Sequence, residues 1–149
     1  MPPCPANTCF AYLLRHGATE NNLATPPRLQ GRGLDGPLSA AGRQQARAAS
    51  AELACLTLTA VFSSPLLRAR QTAEEVAAAH GLSVQSIPDL TEVDVGEWEG
   101  RSWVYIARED TDLYERFVSD PGTFGYRGGE NLTEVQRRVV PVIDRLLAE

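Results

Sequence analysis

The chain has 149 residues, 43% of them hydrophobic and 22% charged, with a net charge of −5, which suits one globular domain built on a single core. All 14 basic residues are arginine, which excludes a P-loop lysine on a nucleotide phosphate and a lysine Schiff base. The acidic balance argues against a nucleic-acid partner, and no run of about 18 apolar residues is present to span a membrane.

The opening Met1-Pro2-Pro3-Cys4-Pro5-Ala6-Asn7 has neither a basic region nor an apolar stretch. It reads as part of a flexible tail over residues 1–9 rather than as a signal peptide. Cys4, Cys9 and Cys55 make an odd count with no zinc-type pair, which argues against a disulfide framework and for a reducing cytoplasm. Phe10 to Leu14 is a short apolar run, as expected of a strand buried on both faces. It ends in Arg15-His16-Gly17, and a loop is expected from there through Pro26-Pro27 and Gly31 to Gly36-Pro37.

Ser39 is placed to cap a helix running to about Leu56, with Gly42, Ala46, Ala49, Leu53 and Leu56 on its inner face. Ala60-Val61-Phe62 reads as a second strand. Ser64 and Pro65 suit the N-cap and first turn of the next helix. Its apolar stripe is Leu66, Ala69, Ala73, Val76, Ala77 and His80, and Gly81 is placed to end it. Ser83 to Ile87 alternates as a third strand at a sheet edge. Residues 101–118 read as irregularly helical and Asp120-Pro121-Gly122 breaks them. A final helix from about Asn131 carries Leu132, Val135, Val139, Ile143 and Leu146 on one face, with Pro141 placed to kink it. This alternation predicts an α/β fold with a mainly parallel sheet. In such sheets ligands bind beyond the carboxyl ends of the strands. Arg15-His16 and the segment Ser63 to Arg68 both follow expected strands and can therefore meet at one site.

Arg15 offers a planar fork for phosphate oxygens, and a neutral imidazole nitrogen of His16 can attack phosphorus and carry the phosphoryl group. Gly17 leaves room for a ligand. Taken alone, the tripeptide reads more readily as an exposed turn. Arg68 lies in the first turn of a predicted helix and off its apolar stripe, where free N–H groups and the helix dipole already favour an anion.

Ordered blocks surround these residues. Leu14-Arg15-His16-Gly17-Ala18-Thr19-Glu20-Asn21-Asn22 is followed by Leu29-Gln30-Gly31, Asp35, Pro37-Leu38, Gly42 and Gln45-Ala46. Then come Ser63-Ser64-Pro65-Leu66-Leu67-Arg68-Ala69-Arg70-Gln71-Thr72-Ala73, the run Leu90 to Gly100 around Glu92, and Gly128-Gly129-Glu130. In this order they resemble the histidine phosphatase superfamily, in its phosphoglycerate mutase-like branch with the Arg-His-Gly motif. Within it they look most like the phosphoglycerate mutase-like and α-ribazole phosphatase group.

The resemblance implies a three-layer α/β/α fold in a domain spanning residues 10–149, and a phosphomonoesterase acting on a small phosphorylated metabolite. It implies His16 as nucleophile, Glu92 as proton donor to the leaving oxygen, and Arg15, Arg68 and Asn22 as phosphate ligands. Gly17, Thr19, Gln30 and Gly31 become possible substrate-binding positions. No cofactor and no metal is required, because positioning and charge compensation carry phosphoryl transfer.

The family pattern continues past the final helix with a strand and a second catalytic histidine, whereas this chain stops at Glu149. The only other histidine, His80, reads as a helix-end residue near the negative pole of the dipole. A C-terminally truncated fragment or gene, lacking the last core strand, is therefore expected. Two other functions compete with the phosphatase: a phosphoglycerate mutase-type phosphoryl transfer, and an inactive phospho-ligand-binding fragment. The sequence names neither substrate nor oligomeric state.

Overall fold

The segment from Ser39 to Ala79 carries most of the local signals and builds the platform for the site. The structure, a computed structural model, describes residues 8–148; of the expected tail, residues 1–7 lie outside them. Helix α1 (Glu20–Leu23) is a single turn within the expected loop, closed by a reciprocal cap between Thr19 and Asn22. Helix α2 (Ala40–Leu53) starts at Ser39 as expected. The Ser39 hydroxyl accepts the Gly42 N–H at 3.0 Å and donates to the Ala18 carbonyl at 2.9 Å, so one side chain caps the helix and ties it to the His16 loop. Ser39→Ala is expected to cost about 1 kcal/mol of stability, read as a lower denaturant midpoint; an unchanged midpoint contradicts this account. Gly42, Ala46 and Ser50 are the buried positions of α2, and Ser50 donates to the Glu75 carbonyl across the helix pair at 2.7 Å.

Strands β1 (Val61–Ser63) and β2 (Val84–Ser86) pair in parallel, Val61 opposite Val84, joined through helix α3 (Leu67–Ala79). Gly81 ends α3 with φ +64°. Leu82 N–H reaches the Ala77 carbonyl and Gly81 N–H the Ala78 carbonyl, the Schellman pattern expected of glycine at that place. The start of α3 falls two residues later than expected. Leu66, not Ser64, is the N-cap and offers no side-chain bond. Asp35 from the preceding loop caps the helix instead, its carboxylate accepting the Leu67 N–H at 2.5 Å.

The expected strand over Phe10 to Leu14 is not formed. These residues have no ladder partner among the described residues, and Phe10 and Leu13 are 65% and 88% exposed. An apolar run becomes a buried strand only where hydrogen-bonded neighbours flank it, and β1 and β2 lie elsewhere. The parallel pair of the α/β architecture is therefore present without that strand.

Beyond β2 the chain makes 3-10 turns at Pro88–Leu90 and Gly96–Trp98. Helices α4 (Trp103–Glu109) and α5 (Thr111–Ser119) follow, broken from α6 (Leu132–Ala148) at Asp120-Pro121-Gly122 as expected. Their shared core is Val95, Trp98 and Ile106. Trp98 is ringed edge-on by Trp103, Phe117 and Tyr126, with centroids 5.6–6.1 Å apart, a favoured aromatic geometry. Helix α6 runs through Pro141 and buries Val142 most deeply. Leu132, expected on that face, is 43% exposed.

Candidate active site

The loop after Leu14 is pinned by backbone groups that need small neighbours. A Cβ on Gly17 would collide with the Gly42 carbonyl, and one on Gly42 with the Ala18 carbonyl. The loop and α2 therefore touch through two glycines. Gly17 N–H donates to Thr72 Oγ1 at 3.1 Å, and that hydroxyl donates to the Arg68 carbonyl at 2.9 Å. Ala18 N–H donates to Gln45 Oε1 at 2.8 Å. The Arg-His-Gly loop is held by α2 on one side and α3 on the other.

His16 is held by both ring nitrogens. Nδ1 lies 2.7 Å from the Gly17 carbonyl, an acceptor, so Nδ1 carries the proton and Nε2 is left with a lone pair. Nε2 accepts from Arg68 Nε at 3.2 Å. Burial, and then the positive charges of Arg68 and Arg15, push the imidazole pKa below its usual value. The Gly17 carbonyl and the Glu92 carboxylate pull it back in part. The ring is thus biased towards the neutral, nucleophilic form.

Arg68 departs from its expected surroundings. It was expected off the apolar stripe of α3, but it is 1% exposed and shares the inward face with Thr72 and Val76. Besides His16, it donates to the Leu34 carbonyl at 2.9 Å and the Gly31 carbonyl at 3.0 Å. The five N–H groups of a guanidinium leave two for a further ligand. Burial lowers the Arg68 pKa, opposed by Glu92, Asp35 and Glu99; the group stays protonated at physiological pH.

The loop that presents those carbonyls is itself braced. Glu99 accepts Gly31 N–H at 2.6 Å and Gly33 N–H at 3.0 Å, and Gln71 accepts Leu38 N–H at 2.8 Å. Gln30 accepts from Thr19 Oγ1 at 2.7 Å and donates to the Leu34 carbonyl at 2.9 Å. Thr19, Gln30 and Gly31 thus build the floor under Arg68, and Thr19 is 2% exposed. Asn22 Oδ1 accepts the Thr19 N–H at 2.9 Å, which leaves its amide N–H groups free to donate. Arg15 is exposed.

Glu92 is exposed, and its Oε1 accepts the following N–H of Val93 at 2.9 Å. Its carboxylate acts on the charges of both His16 and Arg68. His16 and Arg68 are joined by a hydrogen bond, and the charge of Glu92 is felt by both. His80 lies at the opposite end of α3 from Arg68. Asp35, Thr72 and Glu99 lie in the motif blocks, but nothing in those blocks assigns them a role. Their roles emerge only where distant N–H groups need acceptors.

The fold and this geometry place the chain among known proteins. The profile of the histidine phosphatase superfamily (branch 1) matches residues 11–149. A bifunctional protein of Mycobacterium tuberculosis is 41% identical over 136 residues, covering 91% of this chain and 36% of that protein. Phosphoserine phosphatase 1 of Hydrogenobacter thermophilus is 35% identical over 127 residues, covering 85% of this chain and 59% of that protein. The solved structure of a mycobacterial glucosyl-3-phosphoglycerate phosphatase superposes with a TM-score of 0.79 at 33% identity, covering 89% of this chain and 61% of that one. The chain thus spans between about a third and three-fifths of the length of these proteins. A profile matched from the exposed apolar run through the last helix, with the same fold found at 33% identity, means that this chain belongs to the histidine phosphatase superfamily.

Proposed function

We propose that the chain, as one domain over residues 10–149, is a phosphomonoesterase for small phosphorylated metabolites that works through a phosphohistidine at His16. The observation that carries this reading is the pairing at the imidazole: Nδ1–H on the Gly17 carbonyl and the Nε2 lone pair against the Arg68 guanidinium. A nucleophile and an anion-binding fork share one point, and the likeness to two phosphatases supports the same chemistry. Cys9 and Cys55 are free and exposed, which suits a reducing cytoplasm, and among the described residues no helix is long and apolar enough to cross a membrane.

In this mechanism the phosphoryl oxygens bind Arg15, the two remaining Arg68 donors and the Asn22 amide. Phosphorus takes the place of the Arg68 N–H at Nε2. The Nε2–P bond forms as the ester P–O bond breaks, and the Glu92 carboxyl gives its proton to the leaving oxygen. The Gly17 carbonyl, still holding Nδ1–H, balances the positive charge that develops on the ring. Water then attacks phosphorus, its proton passes to Glu92 and the Nε2–P bond breaks, restoring both groups.

The test is incubation with an aryl phosphate, quantifying inorganic phosphate together with acid-labile, base-stable protein phosphate. Product with a transient phosphohistidine is expected; binding of phosphate with neither would overturn the proposal. The pH profile is a second check. Attack requires Nε2 unprotonated, and the imidazole titrates below the ordinary 6.5. With the aryl ester, whose leaving oxygen needs no proton, the acid limb of kcat/KM should therefore lie below 6.5. An acid limb centred above that value would contradict the neutral-imidazole account.

A further inference from the structure

The Gly128-Gly129-Glu130 turn has no part in the chemistry above, yet it is built against the segment that carries Glu92. A Cβ on Gly129 would collide with the Asp94 carbonyl. Glu130 N–H donates to that same carbonyl at 2.9 Å, and Glu130 Oε2 accepts the Asp94 N–H at 2.9 Å. One residue of the turn therefore meets Asp94 in both directions, two residues from Glu92.

Arg138, one helical face along α6, closes the arrangement. Its Nε and one terminal nitrogen hold both carboxylate oxygens of Glu130, at 2.9 and 3.0 Å. The other terminal nitrogen donates to the carbonyls of Asp89 at 2.7 Å and Thr91 at 2.8 Å. The remaining donor reaches the Glu92 carbonyl at 3.2 Å. All five guanidinium N–H groups are thus engaged. Both side chains of the ion pair are only 18% exposed. With every donor taken, Arg138 has none left for a ligand. Its contacts fall on three backbone carbonyls at or just before Glu92, and through Glu130 on the N–H two residues after it.

We propose that Arg138 is the positioning residue of Glu92: with Glu130 it clamps the backbone of residues 89–94 and fixes where the Glu92 carboxyl stands relative to His16 and Arg68. This rests on the reading of Glu92 as the acid–base group. A lysine keeps the charge of Arg138, but its single nitrogen cannot bridge a carboxylate and three carbonyls. Such a clamp matters because general acids act only within hydrogen-bond reach of the proton's destination.

The experiment compares the unmodified chain with Arg138→Lys in two readouts. The first is the single-turnover rate of phosphohistidine formation from an alkyl monophosphate, whose leaving oxygen needs a proton, and from a nitrophenyl phosphate, whose leaving oxygen does not. A loss on the order of tenfold to a hundredfold is expected with the alkyl ester, against little change with the aryl ester. Equal loss with both, or loss with neither, would overturn the proposal. The second readout is the NMR titration of His16, whose pKa the Glu92 carboxylate raises. Displacing Glu92 should move it down, in the same direction as Glu92→Gln does. An unmoved His16 titration also overturns the clamp. This readout stands if the chain forms no phosphohistidine at all, a result that refutes the catalytic reading alone. Should Arg138→Lys lose its circular dichroism signal, Glu130→Gln, which retains the side-chain shape and removes the charge, is carried through the same two measurements with the same expectations.

Discussion

His16→Ala is expected to abolish phosphatase turnover, with a fall in kcat on the order of 10⁴-fold or more, because removing a covalent nucleophile leaves only binding and charge stabilisation. Acid-labile protein phosphate should vanish with it. The fold should survive. His16 is only partly buried, and its loop is held by groups the substitution leaves in place: Gly17 on Thr72, Ala18 on Gln45, and Ser39 on Ala18. Circular dichroism and the denaturant midpoint check that point. A variant that folds and still turns over an aryl phosphate within about tenfold of the unmodified chain would remove His16 from the chemistry.

Arg68→Lys is expected to lower kcat/KM by about 10²- to 10³-fold, the usual consequence of losing a preorganised donor to developing charge. The effect has two physical sources. The ammonium presents a point charge where the guanidinium presents a fork. It also cannot serve the Gly31 carbonyl, the Leu34 carbonyl and His16 together, which lie on three different nitrogens of Arg68. A stability loss of about 1–3 kcal/mol per buried carbonyl left unpaired accompanies it. Arg68→Met separates charge from fork through pH. The Arg68 charge lowers the His16 pKa, so removing it should raise that pKa and carry the acid limb of any residual activity upward. An acid limb that stays put would mean that Arg68 does not act on the imidazole.

The site has a common architecture in which side chains serve backbone groups far away in sequence. Glu99 holds the 31–33 loop, that loop presents carbonyls to Arg68, and Arg68 meets His16. Gln30 and Thr19, expected as possible ligand contacts, are joined to each other, and Gln30 to Leu34.

Local rules made some of this legible from the residues alone. The serine before Ala40 and the small residues at Gly42 and Ala46 specify where α2 starts and which side it buries, because capping and periodicity act within a few residues. The same holds for Gly81, where only a residue tolerant of positive φ ends α3 cleanly. The motif blocks carried the family, since their order survives without any coordinates.

Tertiary structure decided the rest. Helical periodicity sorts residues by apolarity, and so it put Arg68 on the outside. The packed chain turns it inward because two carbonyls, 34 and 37 residues away, and an imidazole, 52 away, satisfy its donors. Phe10 to Leu14 has the composition of a buried strand, but a strand exists only by its neighbours' hydrogen bonds, and spacing within the run cannot supply them. Asp35 as the cap of α3, and Arg138 on the carbonyls around Glu92, are bonds across 32 and 46–49 residues. The sequence by itself determined the start of α2, the end of α3 and the family. The fold alone determined which charged groups are buried together, because burial of a charge is settled by whichever distant donors and acceptors close around it.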